Sequence, residues 1–196
     1  MLARLLAVLR PADRPALEAA AAFASRVHAG ELDDDGTPYI LHPLRVALVL
    51  AEEAGCADLD TLSAALLHDT QEHFPAVTAA EVSAAAGPHA ACWAGALAFE
   101  HRRNPGVPKE TSRIHYLEAL RRGPDHLKLI KMADRLDNLR ECVRLGEKKQ
   151  LAKRLRQERE DYADIFAPVP GSEAEALRAR IGFFLEEDKR NQLPEG

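Results

Sequence analysis

The sequence predicts an all-α fold, a single helical bundle of about eight to ten helices. Three observations lead there. Apolar residues recur at helical spacing through most of the 196 residues. Helix start and stop residues punctuate the chain at intervals that suit helices joined by short loops. No segment alternates apolar and polar side chains long enough to make a strand, and there is no internal repeat or low-complexity tract.

Asp13 suits the cap of a helix that runs through the alanine-rich stretch to Gly30. A polar loop follows, Glu31-Leu32-Asp33-Asp34-Asp35-Gly36-Thr37-Pro38. Pro43 belongs in the first turn of a helix from about His42 to Gly55. Asp58 or Asp60 opens the helix that carries the stretch HDTQEH, residues 68 to 73. Thr78 and Glu81 have capping-box spacing for a short helix ending at Gly87, and Pro88 starts another to about Glu100. HRRNPGVPK, residues 101 to 109, reads as a cationic loop. A helix then runs to Gly123, and Pro124 starts a long one to about Leu145. A strongly charged helix covers roughly 147 to 166. Pro168 and Pro170 break the chain before Ser172 and Glu175 cap a last helix, and the tail QLPEG is expected to fray. One domain is expected over residues 1–196, with its core at about 13–170 and a C-terminal helix over 171–188.

Apolar residues make up 46% and charged residues 29%, an ordinary globular balance. A net charge of −5 disfavours coating long nucleic acid and leaves room for a local basic pocket that takes a small anion. Cys56, Cys92 and Cys142 are scattered without a CxxC and read as buried free thiols of a reducing compartment. The apolar N-terminal patch is interrupted by Arg4 and closed by Arg10-Pro11, so neither a signal peptide nor a membrane span is expected. The cytoplasm is the expected location.

The chemistry concentrates where HDTQEH follows the apolar run Ala64-Ala65-Leu66-Leu67. His42 opens another apolar helix, and Asp134 sits inside LIKMADRL, where an unpaired carboxylate would be costly to bury. A divalent metal offsets that cost. His42, His68, Asp69 and Asp134 form a mixed nitrogen and oxygen set that suits Mn²⁺, Fe²⁺ or Zn²⁺ better than Ca²⁺. Glu72 shares the helix face of His68 and Asp69, where a carboxylate can orient or deprotonate a water. Asn138, four residues after Asp134, points the same way, toward a supporting hydrogen bond or a substrate.

HP at 42–43, LLHD at 66–69 and KMADRLDN at 131–138 resemble the HD-domain metal phosphohydrolases. The longer blocks HAG…DGTPYILHPLRVALVLAEEAG, AALLHDTQE and LKLIKMADRLDNLRE are similar to the hydrolase module of the RelA/SpoT proteins and to small alarmone hydrolases of the Mesh1 type. The likeness covers roughly residues 20 to 170, with a fainter echo at DYADIFAPV, residues 161 to 169. It implies one Mn²⁺ on His42, His68, Asp69 and Asp134, and removal of the 3′-pyrophosphate from (p)ppGpp by metal-activated water. The long enzymes' synthetase domain has no counterpart in 196 residues, so synthesis is not expected.

Two departures stand out. The family usually reads HDxxED; here Glu72 matches and His73 replaces the aspartate, so His73 is a candidate for proton transfer. The family's loop before the G-x-PY motif carries an Arg or Lys for the guanine nucleotide, whereas this chain has an acidic run at 31–35 that would repel phosphates if it faced them. Lys131 and Asn138 match the family, and Tyr162 falls where Mesh1-like proteins place a tyrosine near the nucleotide. Arg102, Arg103 and Lys109 are candidates for the distal phosphate, and Lys131 with Arg135 for charge neutralisation. The alternatives are a hydrolase of another nucleotide or phosphate ester, and a sensor that binds a nucleotide without turning it over.

Overall fold

The computed structural model describes residues 1–192; the rest of the tail expected to fray lies outside them. The chain is a succession of helices: α1 (Leu2–Val8), α2 (Arg14–Val27), α3 (Leu41–Leu48), α4 (Leu59–Leu67), α5 (Thr70–His73), α6 (Ala79–Ala86), α7 (Pro88–Leu97), α8 (Glu100–Arg103), α9 (Lys109–Arg122), α10 (Asp125–Leu145), α11 (Lys148–Gln157), α12 (Ala163–Phe166) and α13 (Ser172–Gln192). One π-helical turn, Val49–Glu53, extends α3, and another, Glu158–Tyr162, joins α11 to α12. Among the described residues ten helices have seven residues or more, and α5, α8 and α12 are single turns of four. Among the described residues no strand forms; the loop before α3 holds one isolated bridge, Leu32 to Pro38. The all-α expectation therefore holds.

α4 is the axis of the bundle because its sequence is apolar on nearly every side. Leu62, Ala64, Ala65, Leu66 and Leu67 are fully buried, and α2, α3, α6, α7 and α10 pack round them. Each such leucine stabilises the fold by about 1.5–3 kcal/mol. One apolar cluster runs from Leu5 in α1 to Ile181 in α13. α10 lies along this core for 21 residues and stops at Gly146, whose φ of +70° is the left-handed conformation that a helix C-terminus favours in glycine.

Local signals were read correctly at Asp58, which accepts the Thr61 N–H at 2.8 Å, and at the Thr78–Glu81 capping box. Four expectations need correction. Asp13 has helical φ and ψ, so its carboxylate does not cap α2 and pairs with Arg10 at 2.8 Å. Ser172 is the first residue within α13, and its hydroxyl donates to Glu173. The cationic stretch after α7 is not all loop: α7 ends at Leu97, and Glu100–Arg103 makes the turn α8. Cys92 is exposed, while Cys56 and Cys142 are buried as expected.

Candidate metal centre and active site

HDTQEH is not the continuation of one helix. α4 ends at Leu67, and the chain bends through His68 and Asp69 before α5. Two side chains stabilise the break by taking up carbonyls at the end of α4. Thr70 Oγ1 donates to the Leu67 carbonyl at 2.7 Å, and His68 Nδ1 lies 2.8 Å from the Ala65 carbonyl. His68 is thereby fixed with Nε2 turned to the other candidate ligands. His42 projects from the first turn of α3, and Asp134 from the middle of α10.

The four residues converge. His68 Nε2 is 3.2 Å from Asp69 Oδ2 and 3.8 Å from Asp134 Oδ1. His42 Nε2 is 3.3 Å from Asp134 Oδ1 and 3.6 Å from Asp69 Oδ2. The ligand atoms of His42, His68 and Asp69 all lie within 4.8 Å of one another. His68 Nε2 is buried and has no hydrogen-bond partner, which is costly unless something occupies the centre.

The electrostatics also ask for a cation. Burial disfavours charge on His42, but Asp134, Asp137 and Asp69 outweigh it and raise the imidazole to about 9. His68 is raised in the same way, against its burial, chiefly by Asp69 and Asp134. Burial pushes Asp69 up, yet the neighbouring His68 and His42 hold it well below the carboxylate range. A divalent ion answers the same demand with imidazoles in the neutral, ligating form, so the residues present fit the metal.

The surrounding groups hold these four in place. Asp137 Oδ2 sits 2.8 Å from His42 Nδ1, which aims Nε2 inward. Arg45 Nε donates to Asp137 at 2.9 Å. The Tyr39 hydroxyl donates to Asp69 Oδ2 at 2.5 Å. Asp134 accepts from Asn138 at 2.5 Å and from Lys131 at 2.6 Å. Sequence reasoning missed Tyr39, Arg45 and Asp137. The sign used for Asp134, a carboxylate inside an apolar helix, applied equally to Asp137 three residues on.

A cavity of about 410 Å³ opens over the cluster, lined in part by Glu72, Arg102, Lys131 and Asn138. The extended backbone at Phe99 aims its N–H at Glu72 Oε2, 2.7 Å away, and Arg102 Nε lies 3.1 Å from the other oxygen. Burial first, and then Asp69, raise the Glu72 carboxyl above its ordinary value.

The remaining sequence candidates divide. His73 lines the cavity, but its Nδ1 pairs with Glu31 at 2.6 Å. Tyr162, Lys109 and Lys131 line an adjoining cavity of about 610 Å³ that shares Glu72 and Arg102 with the first. Tyr162 is buried there, stacked on Phe166, with the Arg135 guanidinium over its ring at 4.8 Å from the centroid. Arg103 is exposed and lines neither cavity, because the single turn α8 points Arg102 inward and its neighbour out. Arg135 is not free to neutralise substrate charge: it is buried in an ion pair with Glu158. Part of the acidic loop is tied up in contacts, with Glu31 between His28 and His73 and Asp35 paired with Arg144; Asp33 and Asp34 still line the cavity.

Residues 20–172 match the family described as HD domain. The human protein named guanosine-3′,5′-bis(diphosphate) 3′-pyrophosphohydrolase MESH1 is 41% identical over 128 residues, 64% of this chain and 68% of that protein. The protein of the same name from Danio rerio is 30% identical over 166 residues, 84% and 89% of the two chains. In structure, the chain is similar to the protein solved under the heading "A metazoan ortholog of SpoT hydrolyzes ppGpp and plays a role in starvation responses". The TM-score is 0.73 at 22% identity, covering 88% of this chain and 95% of that one. HD-domain hydrolases are metal-dependent, and the His/Asp cluster sits inside the matched span. By this match and by the identity to these relatives, the chain belongs to the HD domain family.

Proposed function

We propose that this chain is a metal-dependent phosphohydrolase that removes the 3′-pyrophosphate from guanosine-3′,5′-bis(diphosphate) or its (p)ppGpp relatives. The observation that carries the reading is the convergence of His42, His68, Asp69 and Asp134 under an open polar cavity, in a chain whose relatives bear that activity in their names. The mixed imidazole and carboxylate set suits Mn²⁺, Fe²⁺ or Zn²⁺, and the resemblance to the alarmone hydrolases puts Mn²⁺ first among them. Bound there, a divalent ion supplies the charge that makes a water acidic near neutral pH.

The chain's own groups do the rest. Glu72, held by the Phe99 N–H, orients the attacking water and accepts its proton. Lys131 and Asn138 fix Asp134 and face the cavity, where they meet phosphate oxygens. Arg102 offers a cation at the rim, and Tyr162 lines the adjoining space for the nucleoside. His73, in the family's aspartate position, stands beside Glu72 on the cavity wall. No helix among the described residues is long and apolar enough to cross a membrane. Cys56, Cys92 and Cys142 are free thiols, which suits a reducing cytoplasm.

A second reading, another nucleotide or phosphate ester as substrate, is favoured by one observation: Asp33 and Asp34 line the cavity where the family places a cation. Incubation with Mn²⁺ and a nucleotide panel, with products separated by chromatography, tests both. Pyrophosphate with GDP or GTP is the expected result. Phosphate from other substrates supports the second reading, and binding without turnover defeats both in favour of a sensor.

A further inference from the structure

A second cluster of metal-ligand side chains lies on the same cavity wall and is not used by the chemistry above. His28 Nδ1 is 2.6 Å from Glu31 Oε2, and His73 Nδ1 is 2.6 Å from Glu31 Oε1. One carboxylate therefore bridges two imidazoles, and ligand atoms of the three residues lie within 4.8 Å of one another. His28 is 2% exposed, and Glu31 and His73 line the 410 Å³ cavity. Tyr39 touches both clusters. Its ring centroid is 4.6 Å from that of His73, 5.2 Å from His28 and 5.8 Å from His42, and its hydroxyl reaches Asp69.

We propose that His28, Glu31 and His73 hold a second divalent transition-metal ion on the wall of the substrate cavity. Two imidazoles and a carboxylate are a borderline donor set of the kind that takes Zn²⁺, Co²⁺ or Mn²⁺. A tetrahedral ion with bonds of about 2.1 Å holds its ligands about 3.4 Å apart. The cluster must therefore open by about 0.8 Å, which the cavity-facing positions of Glu31 and His73 allow. Burial disfavours the charged form of His28, and the neutral imidazole is the form that ligates. Arg102 Nη1, 3.4 Å from His73 Nε2, is on an exposed side chain and can swing aside.

The ion would also resolve a conflict in the cavity. Glu31, Asp33, Asp34, Glu72, Glu141 and Glu147 all line the space, and a pyrophosphate entering it meets their charge. A cation between Glu31 and the open side presents positive charge to those phosphate oxygens, while the remaining positions of a three-ligand ion stay open to them. This purpose rests on the phosphohydrolase reading; the binding of the ion does not.

The test is a Co²⁺ titration of the full chain after chelator treatment, following visible absorption and bound metal near neutral pH. Two ions per wild-type chain are expected, and one per chain in both Glu31→Gln and His73→Asn. His68→Ala should also hold one, the ion of the second cluster, with its own absorption band. One ion per wild-type chain that His68→Ala abolishes while Glu31→Gln and His73→Asn retain it, or two retained by both cavity-wall variants, overturns the proposal. Failure of the first site shows separately: His68→Ala then leaves the metal count unchanged while Glu31→Gln lowers it. Thermal melting of each variant identifies one that has not folded; where a cavity-wall variant does not fold, the count in folded His68→Ala decides the matter, one ion expected and none overturning the proposal.

Discussion

Asp137 Oδ2 lies 2.8 Å from His42 Nδ1, and the other oxygen of the same carboxylate takes Arg45 Nε at 2.9 Å. A residue that touches neither the cavity centre nor the solvent thus fixes which nitrogen of His42 faces inward. Asp137→Asn removes the charge that favours this orientation. Metal affinity should fall about 10–100-fold, read by titration of the stripped protein with Mn²⁺; unchanged affinity would remove Asp137 from the site.

His68 Nε2 has no partner other than the cluster it faces. His68→Ala and Asp69→Ala should each abolish metal retention at the first site and lower turnover by about a thousandfold or more, about 4 kcal/mol of transition-state stabilisation. Metal analysis of the purified variants and a single-substrate rate assay check this. Undiminished turnover in either variant contradicts the roles given to these residues.

Burial and the Asp69 charge raise the Glu72 carboxyl above its ordinary value, while the Phe99 N–H first, then Lys131 and Arg102, hold it down. Glu72 accepts a proton only when ionised, so activity is lost as pH falls through its raised pKa. The acid limb of kcat/KM should lie above the ordinary carboxylate value of about 4.3. In Arg102→Ala it should move further up and KM should rise. A limb that stays in place in the variant argues against Glu72 as the base.

Glu53 accepts from Arg140 in α10 and Arg180 in α13, each at 2.6 Å, and fastens the last helix to the π turn after α3. Arg140 first, and Arg180 also, hold its carboxyl below the ordinary value despite partial burial. A depressed folded pKa contributes stability above the unfolded pKa and loses it as pH falls through the folded one. Glu53→Gln should therefore cost about 1 kcal/mol near neutral pH, and the difference should shrink below about pH 4. Urea unfolding across that range checks both statements.

Leu66 is fully buried in α4, two residues before the bend that sets His68. Leu66→Ala should cost about 2–5 kcal/mol of stability through the cavity it leaves, measured by urea unfolding. Because the bend depends on α4 staying packed, metal affinity should fall as well.

Much of this molecule was legible in the residues. Ala64 to Leu67 could only be a buried segment, and a buried segment that ends in His-Asp announces a site. Helix caps at Asp58 and Thr78 were readable because they are local: the side chain reaches a backbone N–H three residues on. Asp13 and Ser172 misled because a capping residue type does not ensure capping dihedrals. Arg102 and Arg103 looked alike as adjacent cations in sequence, and one single-turn helix sends them different ways.

Periodicity and burial cost are properties of short stretches, and so the helical fold and the placing of His42, His68, Asp69 and Asp134 on or beside apolar helices, where a shared cation would offset their burial, could be read from residues alone. Helix packing, in contrast, sets Asp137 against His42, the Phe99 N–H against Glu72, and Glu31 between His28 and His73. These pairs lie 95, 27, 3 and 42 residues apart. Except for the closest, no local pattern encodes them: helices must first pack on α4 before their side chains can meet.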